Sequence, residues 1–189
     1  MITTNNKLVL DQLPKEYYTV FEEFAKICSV PRGSTNRAGI TAYLKQWAES
    51  NNFQVVVDQA DNLLVTVPAT KGMENVPGIC FQGHTDMVCV KTPESQHDFL
   101  KDPISLRIDG EWLKATDTTL GADDGIGLAL AMALARHNIA HGPIELLFTS
   151  DEEIGLIGAM QLKPCVVSKY LISLDGGFNS IGNSCAGAF

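Results

Sequence analysis

The sequence predicts an α/β sandwich, a mixed and mostly parallel sheet flanked by helices. Short apolar runs of strand length alternate with longer segments whose apolar residues recur at helical spacing. Three of those runs pass straight into polar residues: 78–82 into His84 and Asp86, 144–149 into Asp151-Glu152-Glu153, and 170–174 into Asp175. No internal repeat, low-complexity stretch or linker divides the 189 residues, so they read as one domain with room for a real core.

Taken in order, Pro14 suits the first turn of a helix. Val20, Phe21, Phe24, Ile27 and Cys28 continue that helix at its own period, until Pro31-Arg32-Gly33-Ser34 breaks it. A second helix over 36–50 carries Ile40, Tyr43, Leu44, Trp47 and Ala48, an i, i+3, i+4, i+7, i+8 stripe that faces a core. Residues 53–58 and 63–67 are β-rich and joined by a short polar turn, a hairpin; 68–77 is loop. Residues 104–108 and 112–115 flank Asp109-Gly110, a strong hairpin turn signal. The central helix runs over 124–139, ended by Gly142-Pro143. A strand at 144–149 and a short helix at 155–162, stopped by Pro164, lead to a last, buried strand at 170–174.

Composition narrows the function. Apolar residues make up 45% and charged residues 19%, as in a soluble globular protein. The net charge of −8 comes without a basic cluster, which argues against nucleic-acid binding. No run approaches the roughly 18 apolar residues of a membrane span, and the N-terminus lacks the apolar stretch of a signal peptide. Five cysteines, an odd number with no CxxC pair, read as reduced thiols in a cytoplasmic protein.

The densest polar feature is Gly121-Ala122-Asp123-Asp124-Gly125-Ile126-Gly127, a loop entering the central helix. One carboxylate would suffice to cap that helix; here there are two, with a third nearby at Asp117. Ligands of open α/β sheets bind at the carboxyl ends of strands, and the strand-end residues together with this loop place one histidine and several carboxylates within reach of one point. Singly, each has a plainer reading: His84 as a hydrogen-bonded histidine, Asp151-Glu152-Glu153 as a solvated turn, Asp175-Gly176-Gly177 as a turn. Together, carboxylates so close repel unless cations hold them or some are protonated. One imidazole with carboxylates suits zinc, and also manganese or cobalt. Asp86 can orient His84 through its second ring nitrogen. Other chemistries lack support. Ser150 has no GxSxG elbow, no cysteine has a basic partner, and no Gly-Lys-Ser/Thr follows the glycine loop. His97, His137 and His141 read as surface residues.

In this order the motifs GHTDMV (83–88), TTLGADDGIG (118–127), SDEEIG (150–155) and LDGG (174–177) resemble the M20 family of co-catalytic zinc metallopeptidases. The connecting segments, FAKICSVP (24–31), PATKGMEN (68–75), HDFLKDPI (97–104), DGEWLKA (109–115), HGPIELL (141–147) and CAGA (185–188), are most similar to its aminoacyl-histidine (Xaa-His) dipeptidase group. The resemblance implies a zinc-peptidase-like sandwich with two zinc ions, which activate water and polarise the scissile carbonyl. It implies that His84 and Asp175 bind one metal, Glu153 the other, and Asp123 both. Asp86 then orients His84, Glu152 is the general base, and the Asp123–Asp124 peptide is cis. The substrate is a small unblocked dipeptide.

The resemblance also implies what lies beyond residue 189. Family members are far longer, with a lid domain followed by the rest of the catalytic domain, which supplies a second metal-binding histidine and the substrate-gripping and dimer-forming parts. On that pattern residues 1–189 are the N-terminal part of an incomplete catalytic domain, and the second metal site is weakened. LDGGFN stands where dipeptidases of this group carry a more acidic run. Two alternatives stay open: another M20 amidohydrolase (an aminoacylase, deacetylase or carboxypeptidase), and a fragment that binds metal without activity.

Overall fold

A computed structural model describes residues 1–176; Gly177 of the LDGG motif, Cys185 and the CAGA segment at 185–188 lie outside the described residues. A five-stranded mixed sheet forms the centre. Its strands are β1 (Gln54–Val57), β2 (Leu63–Val67), β3 (Ile79–His84), β6 (Ile144–Thr149) and β7 (Tyr170–Ser173), in the order β1-β2-β6-β3-β7. β3 pairs in parallel with both β6 and β7, whereas β2 is antiparallel to β1 and β6. Four of the five strands therefore point the same way, and only β2 opposes them. A separate hairpin joins β4 (Leu106–Asp109) to β5 (Trp112–Ala115). It turns at Gly110, whose positive φ of 62° suits the first loop position of a tight hairpin.

Alternation within β2 fixes which face is covered. Leu63, Val65 and Val67 pair with Phe148, Leu146 and Ile144, and all six are buried in one cluster. Against that face pack α3 (Arg37–Ser50) and α4 (Ala122–Ala135), through Ile40 and Leu44, and Leu128 and Met132; α2 (Tyr18–Ile27) packs on α4 and adds Phe24 and Ile27 to the same core. On the opposite face, Leu64 and Leu147 share a cleft with Leu162 and Cys165, just past α5 (Ile157–Gln161). No helix among the described residues is long and apolar enough to cross a membrane, and the four described cysteines are free.

The structure departs from the expected elements in three places. A first helix, α1 (Thr4–Leu10), was not expected, because its Asn5-Asn6-Lys7 run has no helical stripe. Thr3 caps it by accepting the Asn6 N–H at 3.2 Å, and Val9 and Leu10 are buried. The central helix stops at Ala135 rather than at 139. The strand at 170–173 exists, but it is not buried: Tyr170, Leu171 and Ile172 are 52%, 52% and 44% exposed. Among the described residues β7 lies at the sheet edge with β3 as its single neighbour, and an apolar run carries no sign of whether its strand is central or marginal.

Candidate metal centre

Two parts of the fold converge on one edge. The carboxyl ends of β3, β6 and β7 deliver His84, Asp151-Glu152-Glu153 and Asp175 there. The turn into α4 delivers Asp123. Gly121 holds left-handed backbone (φ 69°, ψ 32°), Asp123 and Asp124 leave helical angles, and the peptide between them is cis. The two neighbouring carboxylates part ways: the Asp123 side chain is 73% exposed, whereas Asp124 is buried.

Donor atoms of His84, Asp123 and Asp175 lie within 4.8 Å of one another, and so do those of His84, Glu152 and Glu153. Each candidate metal ligand, His84, Asp123, Glu153 and Asp175, thus falls in one of two donor groups that share His84. Asp117 belongs to neither group. The buried His84 ring directs Nε2 at Asp123 Oδ1, 2.9 Å away, and Nδ1 at Asp86 Oδ1, 3.3 Å away without hydrogen-bond alignment. One ring nitrogen facing the donors and a carboxylate behind the other is the arrangement that sets the tautomer of a ligating histidine. One imidazole and several carboxylate oxygens fit zinc, manganese or cobalt.

Electrostatics follows the same division. Burial disfavours the His84 imidazolium, but the Asp86 and Asp123 carboxylates beside its two ring nitrogens and the charge of Asp124 outweigh it, and its pKa rises to about 9. Burial acts to raise Asp86, yet His84, the Ser34 hydroxyl and the Glu152 and Glu153 N–H groups hold it at about 2. Asp124 is pushed up to about 7, first by burial. Glu152 is raised by burial and then, against the lowering pull of His84, by Asp175, Asp86 and Asp123. Burial and then the Asp123 charge raise Glu153. A raised carboxyl suits proton transfer near neutral pH.

Several contributors have no individual signal in the sequence. The 31–36 stretch, legible only as a helix break, underlies the site. Ser34 Oγ donates to Asp86 Oδ2 at 2.6 Å, and the Thr35 N–H donates to Asp151 Oδ1 at 2.6 Å. Asp151 therefore faces this loop, whereas Glu152 and Glu153 contribute oxygens to a donor group with His84. Asp124 accepts the His84 N–H at 3.2 Å, and its carboxyl is so close to two glycines that a Cβ at Gly83 or Gly127 would come within 2.2 Å of it. Gly83 and Gly127 leave room for that approach, but only the folded chain shows what approaches. His137 is exposed as expected; His97 and His141 are half-buried, against Phe99 and the Gly142 carbonyl respectively.

Known proteins share both sequence and fold with this chain. The sequence profile described as peptidase family M20/M25/M40 matches residues 80–174. The cytosol non-specific dipeptidase of Escherichia coli K12 is 49% identical over 145 residues, covering 76% of this chain and 30% of that protein. The crystal structure of aminoacylhistidine dipeptidase from Vibrio alginolyticus superposes with a TM-score of 0.84 at 41% identity, over 88% of this chain and 34% of that one. Aminopeptidase PepT from Bacillus cereus gives a TM-score of 0.70 at 31% identity, over 84% and 43%. The chain spans about a third of the length of the two dipeptidases.

Proposed function

The chain belongs to peptidase family M20/M25/M40, and from that premise we propose that it is the metal-binding, N-terminal part of the catalytic domain of a cytoplasmic dipeptidase. The substrates are small unblocked dipeptides, Xaa-His among them. Two similar proteins support this reading: one bears the name non-specific dipeptidase and the other aminoacylhistidine dipeptidase. The observation that carries it is the meeting of His84, Asp123, Asp175, Glu152 and Glu153 in two donor groups that share the histidine.

His84, Asp123 and Asp175 would hold one zinc ion, and Glu153, with the shared Asp123, would hold a second more weakly. Manganese or cobalt suits the same donors. Bound zinc supplies Lewis acidity for the scissile carbonyl and lowers the pKa of water. Asp86 keeps the His84 ring in the orientation that turns Nε2 to the cation. Glu152 takes a proton from the attacking water on a carboxylate oxygen and passes it to the nitrogen of the leaving amine.

A second reading, metal binding without turnover, is favoured by one observation. The two donor groups overlap at His84, so the described residues complete one site and leave the second short of donors. Zinc content and hydrolysis of β-alanyl-histidine, measured on the chain and on Glu152→Ala, separate the two. Bound zinc with hydrolysis that disappears in the variant supports the dipeptidase; zinc in both with hydrolysis in neither supports the second reading. Absence of zinc overturns both. A panel of Xaa-His dipeptides against N-acyl amino acids, run on the longer protein, distinguishes a dipeptidase from an amidohydrolase of the same family.

A further inference from the structure

Among the described residues, no side chain larger than Arg32 is so completely buried. A buried guanidinium needs acceptors for its fork of N–H donors. Nη1 of Arg32 donates to the carbonyls of Thr85 at 3.0 Å and Asp86 at 2.8 Å, and Nη2 donates to the carbonyl of Gly121. These acceptors lie on two segments far apart in the chain: the first follows His84, the second precedes Asp123. The backbone repeats the tie, because the Arg32 carbonyl accepts the Met87 N–H at 3.1 Å and Gly33 bridges in parallel to Met87.

The α4 turn is shaped around this side chain. A Cβ at Gly121 would come within 2.6 Å of Nη2, and one at Gly125 within 2.5 Å. The glycines that bracket Asp123-Asp124 therefore admit the guanidinium beneath the turn. No other described side chain donates to carbonyls of both segments.

We propose that Arg32 is the positioning residue of the metal centre: its planar fork sets the separation of the 84–86 segment from the 121–123 turn, and hence the bite of His84 and Asp123 on a cation. The inference rests on the metal-centre reading above. Arg32 offers no atom to the ion and acts through backbone carbonyls. Lysine keeps the charge but has no fork with which to hold two segments at once.

The test is a cobalt(II) titration of the whole 189-residue chain, followed by visible d–d absorption, for the unsubstituted protein, Arg32→Met, Arg32→Lys and Leu44→Ala. Leu44 is a buried α3 core residue, and its variant controls for stability lost without any change at the turn. Both Arg32 variants should bind cobalt about 10–100-fold more weakly, the range for loss of an outer-sphere partner, with an altered spectrum at saturation. Leu44→Ala should melt earlier but keep the affinity and the spectrum. An Arg32→Lys protein with unchanged affinity and spectrum overturns the proposal, and so does an equal weakening by Leu44→Ala. Should the Arg32 variants fail to fold, Gly125→Ala keeps the arginine but presses a methyl on Nη2, and it should alter the spectrum in the same way; an unchanged titration there is also fatal. No cobalt uptake by the unsubstituted chain overturns the metal-centre reading, and this inference with it. Uptake by every variant alike overturns only this inference.

Discussion

The floor and the rim of the site are built on opposite plans. On the floor, His84, Asp86, Asp124 and Arg32 are buried and supplied with partners by the chain itself. The Asp86 carboxylate alone accepts from Ser34 Oγ at 2.6 Å, the Glu152 N–H at 2.9 Å and the Glu153 N–H at 3.3 Å. On the rim, Asp123 and Asp175 are exposed, and Glu152 and Glu153 are half-buried. Among the described residues, the one hydrogen-bond contact to these four carboxylates is that of His84 with Asp123. Floor oxygens are committed to the fold, where their bonds fix geometry; rim oxygens repel one another and, on the proposed reading, hold an external cation. The contrast separates two kinds of acidic residue that composition treats as one, and it places neighbours on opposite sides: Asp123 on the rim and Asp124 on the floor, or Glu152 on the rim and Asp151 beneath it.

His84 alone joins the two levels, since both donor groups contain it. His84→Ala should therefore have the largest effect, removing zinc binding by more than the roughly 10–100-fold that an outer partner costs. Asp175→Asn disturbs one group only and should weaken binding less. Zinc titration of both variants orders them, and the reverse order would break the division between a shared histidine and separate rim carboxylates.

The pH dependence sharpens the contrast further. In the metal-free chain His84 is lifted to about 9 from an ordinary 6.5, so its stabilising contribution is complete below about 6.5 and is lost as pH rises through 9. Asp124, lifted to about 7 from 3.8, likewise loses its contribution as pH rises from 3.8 through 7. Asp86, held at about 2, contributes above 3.8 and loses that contribution as pH falls through 2. Metal-free stability should therefore be greatest in mild acid and decline towards pH 9. A cation takes the place of the proton on His84, so the stability gained from zinc should grow with pH. Urea midpoints at about pH 5, 7 and 9, with zinc and with EDTA, measure this; a gain that is flat with pH counts against His84 as a donor.

The rim was largely legible in the sequence. Strands that end in polar residues put their donors at one edge by topology, and glycines on both sides of Asp123-Asp124 announce a tight turn. Which of two adjacent aspartates faces out was not legible from the residues; the resemblance supplied it. The floor was hardly legible at all. Arg32 and Ser34 sit in a stretch whose only local message is that a helix ends, and their partners lie 52 to 89 residues away along the chain. The same blindness hid α1, which is tied down through Asn6. That buried amide donates to the Ile104 carbonyl and accepts the Leu106 N–H, both at 2.9 Å. Periodicity detects faces and ends of elements, whereas a single polar side chain that reaches across the fold leaves no period to detect.

The smallest effect expected belongs to the floor. Ser34→Ala deletes one bond to Asp86 and leaves the N–H donors of Glu152 and Glu153 in place. A hydrogen bond to a charged group contributes about 1.5–3 kcal/mol, and half-burial of Ser34, where water replaces part of the lost bond, puts the loss near the lower end. Asp86 remains ionised, because its backbone donors persist, and it continues to back the His84 ring. The variant should therefore lose about 1.5 kcal/mol in urea unfolding but bind zinc only a few-fold more weakly, less than the range for a partner that orients the ligand directly. If zinc binding instead collapses as it should in His84→Ala, then the Ser34 hydroxyl, and not the pair of backbone N–H groups, holds Asp86 in place, and the floor depends on a single bond where the structure shows several.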